Sequence, residues 1–448
     1  MDDSFKDKAL EYHSKGKPGK TSTMPSKPLE APEELLMAYT PGVAAPAMEI
    51  SKERWKAYRY TNKGNLVAVV SNGSSLLGLG NKGALASKPV MEGKAMLFKT
   101  YADIDAFDIE ISDEEPEKIV ATIQAVAPTF GGINLEDIKA PECFYIERRL
   151  RGLLDIPVLH DDQHGTAVTV AAALLNACKV TDKNIGDIKI VICGAGAAAI
   201  SSANMLLEIG VSRKQITMLD SKGVITTRRT DLDESKAHFA TTGEATTLSQ
   251  AIEGADAFIG LSRGDLLKES DIKSMSPSPI IFALANPIPE ISYKQAKQWR
   301  PDAVVATGRS DNPNQINNVL SFPYIFRGAL DTLSTTINEA MKIAAAKAIA
   351  AIAQEPASKE IEEQYGQRFV FGHEYILPKP GDKHLLTEVS AAVAHAAIES
   401  GVARRSIASF SEYSQTLLKR IDNENFFARE YLRHRAGRHG SERESELI

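Results

Sequence analysis

Apolar and polar positions follow two regimes along this chain. Between 65 and 71 the block LVAVV, bounded by Asn65 and Ser71, is short and continuously apolar, which predicts a buried strand. A second strand-like run, IDAFDIEI, follows at 104–111, flanked by a helical stretch ending near Thr100 and another over 114–126. Upstream, a short helix leads into residues 16–32, rich in Gly, Pro, Lys and Ser, which read as an extended linker. Helical stretches at 33–37 and around 48–58 then flank the turn YTPGVAAP. Past residue 188 the alternation becomes regular. IKIVICGAG runs as a strand into a glycine turn, AAAISSANMLLEIG is its helix, and QITMLD, AFIGL, PIIFALANP and AVVATG are further strands. Strand–helix alternation of this kind predicts an α/β protein with a doubly wound, mostly parallel sheet. From Ala329 the pattern turns alanine-rich and helical, notably over 337–354, and a loop around Pro378–Gly381 precedes a last helical pair. The expected division is an N-terminal α/β domain at 1–160, a dinucleotide-type domain at 161–330, and a helical C-terminal region at 331–448. That region packs back on both domains, and its tail frays after about 429.

Composition narrows the class without naming a reaction. With 43% apolar and 25% charged residues the chain is an ordinary globular protein, and its net charge of -6 argues against a general polyanion binder. Nucleic acid is therefore not an expected partner. The three cysteines, Cys143, Cys178 and Cys193, form no CxxC and lie in apolar stretches, which points to a reducing, cytoplasmic compartment. The charged N-terminus lacks the apolar core of a signal peptide, and the apolar run 167–178 is too short to span a bilayer, so no membrane role is expected.

The chemistry gathers in a short interval. GAGAAA at 194–199 fits GxGxxA: Gly194 makes the tight turn, Gly196 admits a pyrophosphate, and Ala197, Ala198 and Ala199 open the helix. This is a Rossmann-like turn. Asp220 ends the next strand, where an acid usually takes the adenosine ribose hydroxyls. It favours NAD, yet Ser221, Lys222, Arg228 and Arg229 lie close behind and could accept the 2′-phosphate of NADP. A second match, GLGNKG at 78–83, lacks a following strand that ends in an acid. It reads instead as a loop, with Lys82 and Lys88, near an anionic ligand, or as glycines allowing close packing.

Just ahead of the cofactor turn stand two acidic couplets, Glu136-Asp137 in GGINLEDI and Asp161-Asp162 in HDDQHGTA, each at a predicted strand end. Glu136, Asp137 and Asp162 make a hard oxygen set suited to Mg²⁺ or Mn²⁺ rather than Zn²⁺. The alternative is a pair of helix N-caps, adequate for one couplet and less so for two beside a cofactor turn. Lys94, in EGKAMLFK, lies among apolar residues, where burial would lower its pKa and make it a usable base. Tyr39 stands beside a Thr-Pro-Gly turn, and Asn286 and Asn318 follow predicted strands on the cofactor side.

Taken together, YTPGVA, GLGNKGALASKPVMEGKAMLFK, FGGINLEDI, IPVLHDDQHGTAV, ICGAGAAA, FALANPIPE and SDNPNQINNVLSFP resemble the malic enzyme family, specifically its short bacterial type. The resemblance runs in one order from about 30 to 325. It implies oxidative decarboxylation of malate to pyruvate and CO₂ with reduction of NAD or NADP, and allows oxaloacetate decarboxylation as well. By the same resemblance Glu136, Asp137 and Asp162 match the metal ligands, Lys94 the general base, Tyr39 the general acid and Asp161 a carboxylate beside metal and base. Asn286 and Asn318 match substrate-contacting residues, Asn286 also lying on the cofactor side, and a homodimer built partly by the N-terminal segment is implied. One departure concerns substrate recognition: larger members carry an arginine before GLG, where this chain has Leu76, so Lys82, Lys88 or the asparagines must supply that contact. The chain is also too short for the acyltransferase-like extension of the long bacterial form, and control through such a domain is not expected. Alternatives are a related 2-hydroxy-acid oxidative decarboxylase, acting for example on tartrate, and a non-catalytic dinucleotide-binding protein.

Overall fold

A computed structural model of the chain describes residues 3–15, 18–27, 29 and 31–421. The tail beyond 429 lies outside the described residues.

Two sheets organise the fold. The first has four parallel strands: β1 (Leu66–Ser71), β2 (Asp105–Glu110), β3 (Gly132–Leu135) and β4 (Val158–His160), in the order β2-β1-β3-β4. β1 is buried along its whole length, as its unbroken apolar block predicts. The second sheet has six strands in the order β10-β9-β8-β5-β6-β7. β5 (Ile190–Cys193), β6 (Ile216–Asp220), β8 (Ala257–Gly260), β9 (Ile280–Ala283) and β10 (Val304–Thr307) are parallel and buried. The two-residue β7 (Gly223–Val224) turns back antiparallel on β6, a strand too short to leave an apolar signature.

One helix joins the two halves. Asp161–Val180 starts directly at the end of β4 and packs against both Ala197–Glu208, the helix after the cofactor turn, and Glu339–Gln354. It is buried on nearly every face, which explains its run of alanine and valine. The C-terminal helices do pack back. Asn176 donates to the carbonyls of Ala350 and Ile376, 2.8 Å each, and the helix Ser390–Glu399 lies on Phe322–Asp331. Inside the latter, fully buried Arg327 pairs with Asp331 and donates to Asn65 Oδ1 at 2.6 Å. Tyr413, on a helix over 410–421, donates to the same Asp331 at 2.7 Å.

Candidate active site

Strand register brings the acidic couplets together. In the parallel pair β3–β4, Leu135 sits opposite His160, so Glu136 and Asp161 leave adjacent strands side by side. Neighbouring strands are about 4.8 Å apart, within reach of one shared cation or ammonium. Lys94 fills that position. From the helix Ala84–Ala102 its Nζ reaches Asp161 Oδ2 at 2.5 Å and Glu136 Oε1 at 2.8 Å, and it lies 4.2 Å from the centre of the Phe322 ring. Asn318 Nδ2 donates to the same Asp161 oxygen at 2.5 Å. Neither couplet acts as a helix cap. The Asp161–Val180 helix has His160 at its N-cap with no side-chain cap bond, and Asp137, at φ 52°, lies outside any helix.

Electrostatics corrects one expectation. Burial by itself would lower Lys94, but the Asp161 and Glu136 carboxylates outweigh it and hold the ammonium above its ordinary value. Burial pushes Asp161 and Glu136 up, each to about 7, against the pull of Lys94. The contacts decide between these tendencies: 2.5 and 2.8 Å are charge-assisted distances, so the ammonium–carboxylate form is the resting one. Lys94 is thus no free amine at rest. Asp137 is pushed up to about 8 by burial and then by the nearby Asp162 and Glu136.

Asp162 Oδ2 accepts the Asp137 backbone N–H at 2.7 Å, so Asp137 and Asp162 meet directly. Among the described residues, however, no three His, Cys, Asp or Glu side chains are grouped so as to hold a metal ion as they stand. The reason is in their partners: Glu136 is drawn to Lys94 and Asn134, and Asp162 to a backbone donor. The donor chemistry still fits a hard cation. All three side chains offer carboxylate oxygen, and buried Asp137 Oδ2 has no hydrogen-bond partner, a cost that a cation would remove.

On the second sheet, Gly194 has φ 130°, and a Cβ there would lie 2.4 Å from the Leu261 carbonyl, so only glycine fits where β5 passes the end of β8. A Cβ at Gly196 would meet nothing within 4 Å: the space over the N-terminus of Ala197–Glu208 is open, and that terminus carries no side-chain cap. It is shaped to receive a pyrophosphate. Asp220 ends β6, but its carboxylate is engaged by Arg229 at 2.8 and 2.9 Å and by the Lys222 N–H at 2.9 Å. Ser221 follows it, exposed.

Other expected residues lie apart from the Lys94 cluster. Asn286 is exposed at a cis peptide before Pro287, and its carbonyl lies 2.9 Å from where a Gly78 Cβ would be, so the GLGNKG loop approaches it. Lys88 is committed to Asp108 at 2.5 Å, and Lys82 is exposed. Tyr39 is 69% exposed, and among the described residues no side-chain hydrogen bond or ring contact joins it to Lys94. Within one chain the expected tyrosine–lysine pair is not assembled.

Several residues at the site carried no obvious signal. Buried Asn134 donates to Glu136 Oε2 at 2.9 Å, and strand alternation, which places 134 and 136 on one face, could have suggested it. Gly165 makes room for Asp161: a Cβ there would lie 1.9 Å from Asp161 Oδ1. Behind Asp162, His164 bridges Glu147 at 2.9 Å and Lys342 at 3.1 Å, a link between distant helices that no local pattern announces. Glu290, the last residue of FALANPIPE, accepts the N–H groups of Ser262 and Ala285 at 3.1 Å each and so ties the loops after β8 and β9.

Comparison with known proteins gives a consistent result. The family model described as malic enzyme, N-terminal domain matches residues 18–116 and 109–151, and malic enzyme, NAD binding domain matches 163–364. The chain is 53% identical over 430 residues to the NADP-dependent malic enzyme of Escherichia coli strain K12, covering 95% of this chain and 57% of that protein. It therefore spans little more than half the length of that curated relative. To the NADP-dependent malic enzyme of Halomonas elongata it is 52% identical over 406 residues, 90% of this chain and 96% of that one. Among solved structures, malic enzyme from Pyrococcus horikoshii superposes with a TM-score of 0.88 at 44% identity, covering 96% and 99% of the two chains.

Proposed function

The chain belongs to the malic enzyme family, and from that premise we propose that it oxidatively decarboxylates malate to pyruvate and CO₂. In this reading it reduces NAD⁺ or NADP⁺ and requires Mg²⁺ or Mn²⁺. The observation that carries it is Lys94, clamped by Asp161 and Glu136 at the ends of two adjacent strands that also deliver Asp137 and Asp162.

Glu136, Asp137 and Asp162 would hold the divalent cation. When bound, the cation supplies Lewis-acid polarisation of the substrate's C2 oxygen, and the nicotinamide supplies a hydride acceptor. The remaining work falls to the chain. Asp161, whose carboxylate touches Lys94 Nζ and whose pKa is lifted toward neutrality, takes the ammonium proton as substrate displaces the resting pair. The freed amine then removes the C2 hydroxyl proton while hydride leaves C2, giving a β-keto acid. Asn318, bonded to Asp161, orients that carboxylate and faces the substrate. After CO₂ departs, the enolate needs a proton at C3, which Tyr39 provides.

Tyr39 must reach that site from elsewhere. Its surroundings expose Leu35, Leu36, Met37, Val43, Met48 and Trp55, a collection of large apolar side chains that a monomer would rarely leave in water. In this reading a second copy covers them in a homodimer, and Tyr39 acts on the partner's Lys94. Residues 1–160 then supply Tyr39, Lys94 and the first metal ligands, 161–330 the cofactor site, and 331–448 the buttress behind both. Three buried free cysteines support a reducing, cytoplasmic setting.

A substrate profile tests the reaction. With Mn²⁺ and either nucleotide, malate should give equimolar pyruvate and reduced cofactor, well ahead of tartrate and lactate. A higher kcat/KM for tartrate would overturn the substrate assignment.

A further inference from the structure

We propose that Arg229 selects NADP⁺ over NAD⁺ in this chain, with Asp220 serving as the positioning residue that holds its guanidinium rather than as the acceptor of the ribose hydroxyls. This deepens the dinucleotide reading above and rests on it.

The acid at the end of β6 reads a ribose diol only if its carboxylate has two free acceptor positions. A carboxylate has about four. At Asp220, Oδ1 accepts Arg229 Nη1 at 2.8 Å and the Lys222 N–H at 2.9 Å, and Oδ2 accepts Arg229 Nη2 at 2.9 Å. The remaining position faces Lys236 Nζ at 3.7 Å. Asp220 is therefore saturated by cations and a backbone donor. Its two-pronged contact fixes the plane of the guanidinium.

What the end of β6 presents outward is positive charge. Lys222 Nζ and Arg229 converge on Asp231, at 2.5 and 3.0 Å, and that carboxylate is more than a third exposed. Two cations meeting on one solvent-facing anion is the arrangement a 2′-phosphate would find, with Arg228 exposed beside them. A diol offers these cations nothing comparable. A charge-assisted contact of this kind is worth about tenfold or more in affinity.

Calorimetric titration of the full chain with NADP⁺, NAD⁺, 2′,5′-ADP and 5′-ADP tests this without any turnover. The wild type should bind each 2′-phosphorylated ligand about tenfold or more tightly than its counterpart. Arg229→Gln should collapse that ratio toward one, and Asp220→Asn should lower it by loosening the guanidinium. Equal wild-type affinities, an NAD⁺ preference, or an unchanged ratio in Arg229→Gln would overturn the inference while leaving the cofactor site intact. Binding of none of the four ligands would instead remove the dinucleotide reading on which it stands. Because the wild-type ratio alone decides the first point, a variant that fails to fold does not shield the proposal.

Discussion

Lys94 owes its state to three neighbours from three separate elements: Asp161 on the Asp161–Val180 helix, Glu136 beyond β3, and the ring of Phe322. Replacing it with alanine removes the only amine in contact with both carboxylates. Lys94→Ala should lower kcat by about 10²–10⁴-fold, the usual range for a general base, while fluorescence titration still shows bound reduced nucleotide. Full turnover in that variant would remove the base assignment. Gly165 offers a quieter test. A methyl group 1.9 Å from Asp161 Oδ1 must push that carboxylate off Lys94 and Asn318, so Gly165→Ala should lose activity while retaining cofactor affinity. Stopped assays beside the same titration separate the two. At this scale the sequence announced the carboxylates, because adjacent couplets at strand ends are rare and chemically pointed. It misjudged Lys94, because apolar neighbours along the chain reveal burial but not the two carboxylates that arrive from elsewhere. It missed Asn134 and Glu147 for the same reason: each acts on a residue that only the fold brings near.

Strands were the most legible elements. Each strand that is buried on both faces reads as a short apolar block, so β1, β5, β6, β8, β9 and β10 all lie where the pattern places them. β7 did not, since two residues carry no periodicity. The C-terminal region was legible only as helix. What fixes it is Arg327, fully buried yet indistinguishable in FRGALD from an arginine that reaches solvent. Arg327→Leu leaves Asp331 with Tyr413 as its partner in a buried setting and should cost about 3–5 kcal/mol of unfolding free energy. Urea denaturation of the variant measures that loss. Adding Asp331→Leu should recover much of it, because the stranded charge goes too.

For the whole molecule, the N-terminal segment and the metal site make separate predictions. If a second copy covers Leu35, Met37 and Trp55, a mixture of Tyr39→Phe and Lys94→Ala proteins, each nearly inactive, should regain activity after subunit exchange. No recovery from a mixture shown by native mass spectrometry to contain heterodimers would place Tyr39 and Lys94 in separate roles. The acidic cluster governs pH dependence. Asp137, raised to about 8 by burial and its acidic neighbours, binds a proton in the folded protein that the unfolded chain has already released. Stability of the metal-free protein should therefore fall as pH rises from about 4 to 8. Glu147, held down at about 2 despite its burial, chiefly by His164, acts oppositely, and its contribution is lost in acid. Mn²⁺ neutralises the Asp137 cluster, so it should raise the melting temperature more at pH 8 than at pH 5.5. An equal rise at both would separate the cation from those carboxylates.

The central claim is that this cluster, beside this cofactor turn, oxidises and decarboxylates malate. Its most direct test is a steady-state assay of the full chain with malate and Mn²⁺, run once with NADP⁺ and once with NAD⁺. Each run follows nucleotide reduction and pyruvate together, before and after EDTA. The account predicts reduced nucleotide and pyruvate in equal amounts, both abolished by EDTA and restored by excess Mn²⁺. No reduction of either nucleotide, or reduction that survives EDTA undiminished, would contradict it.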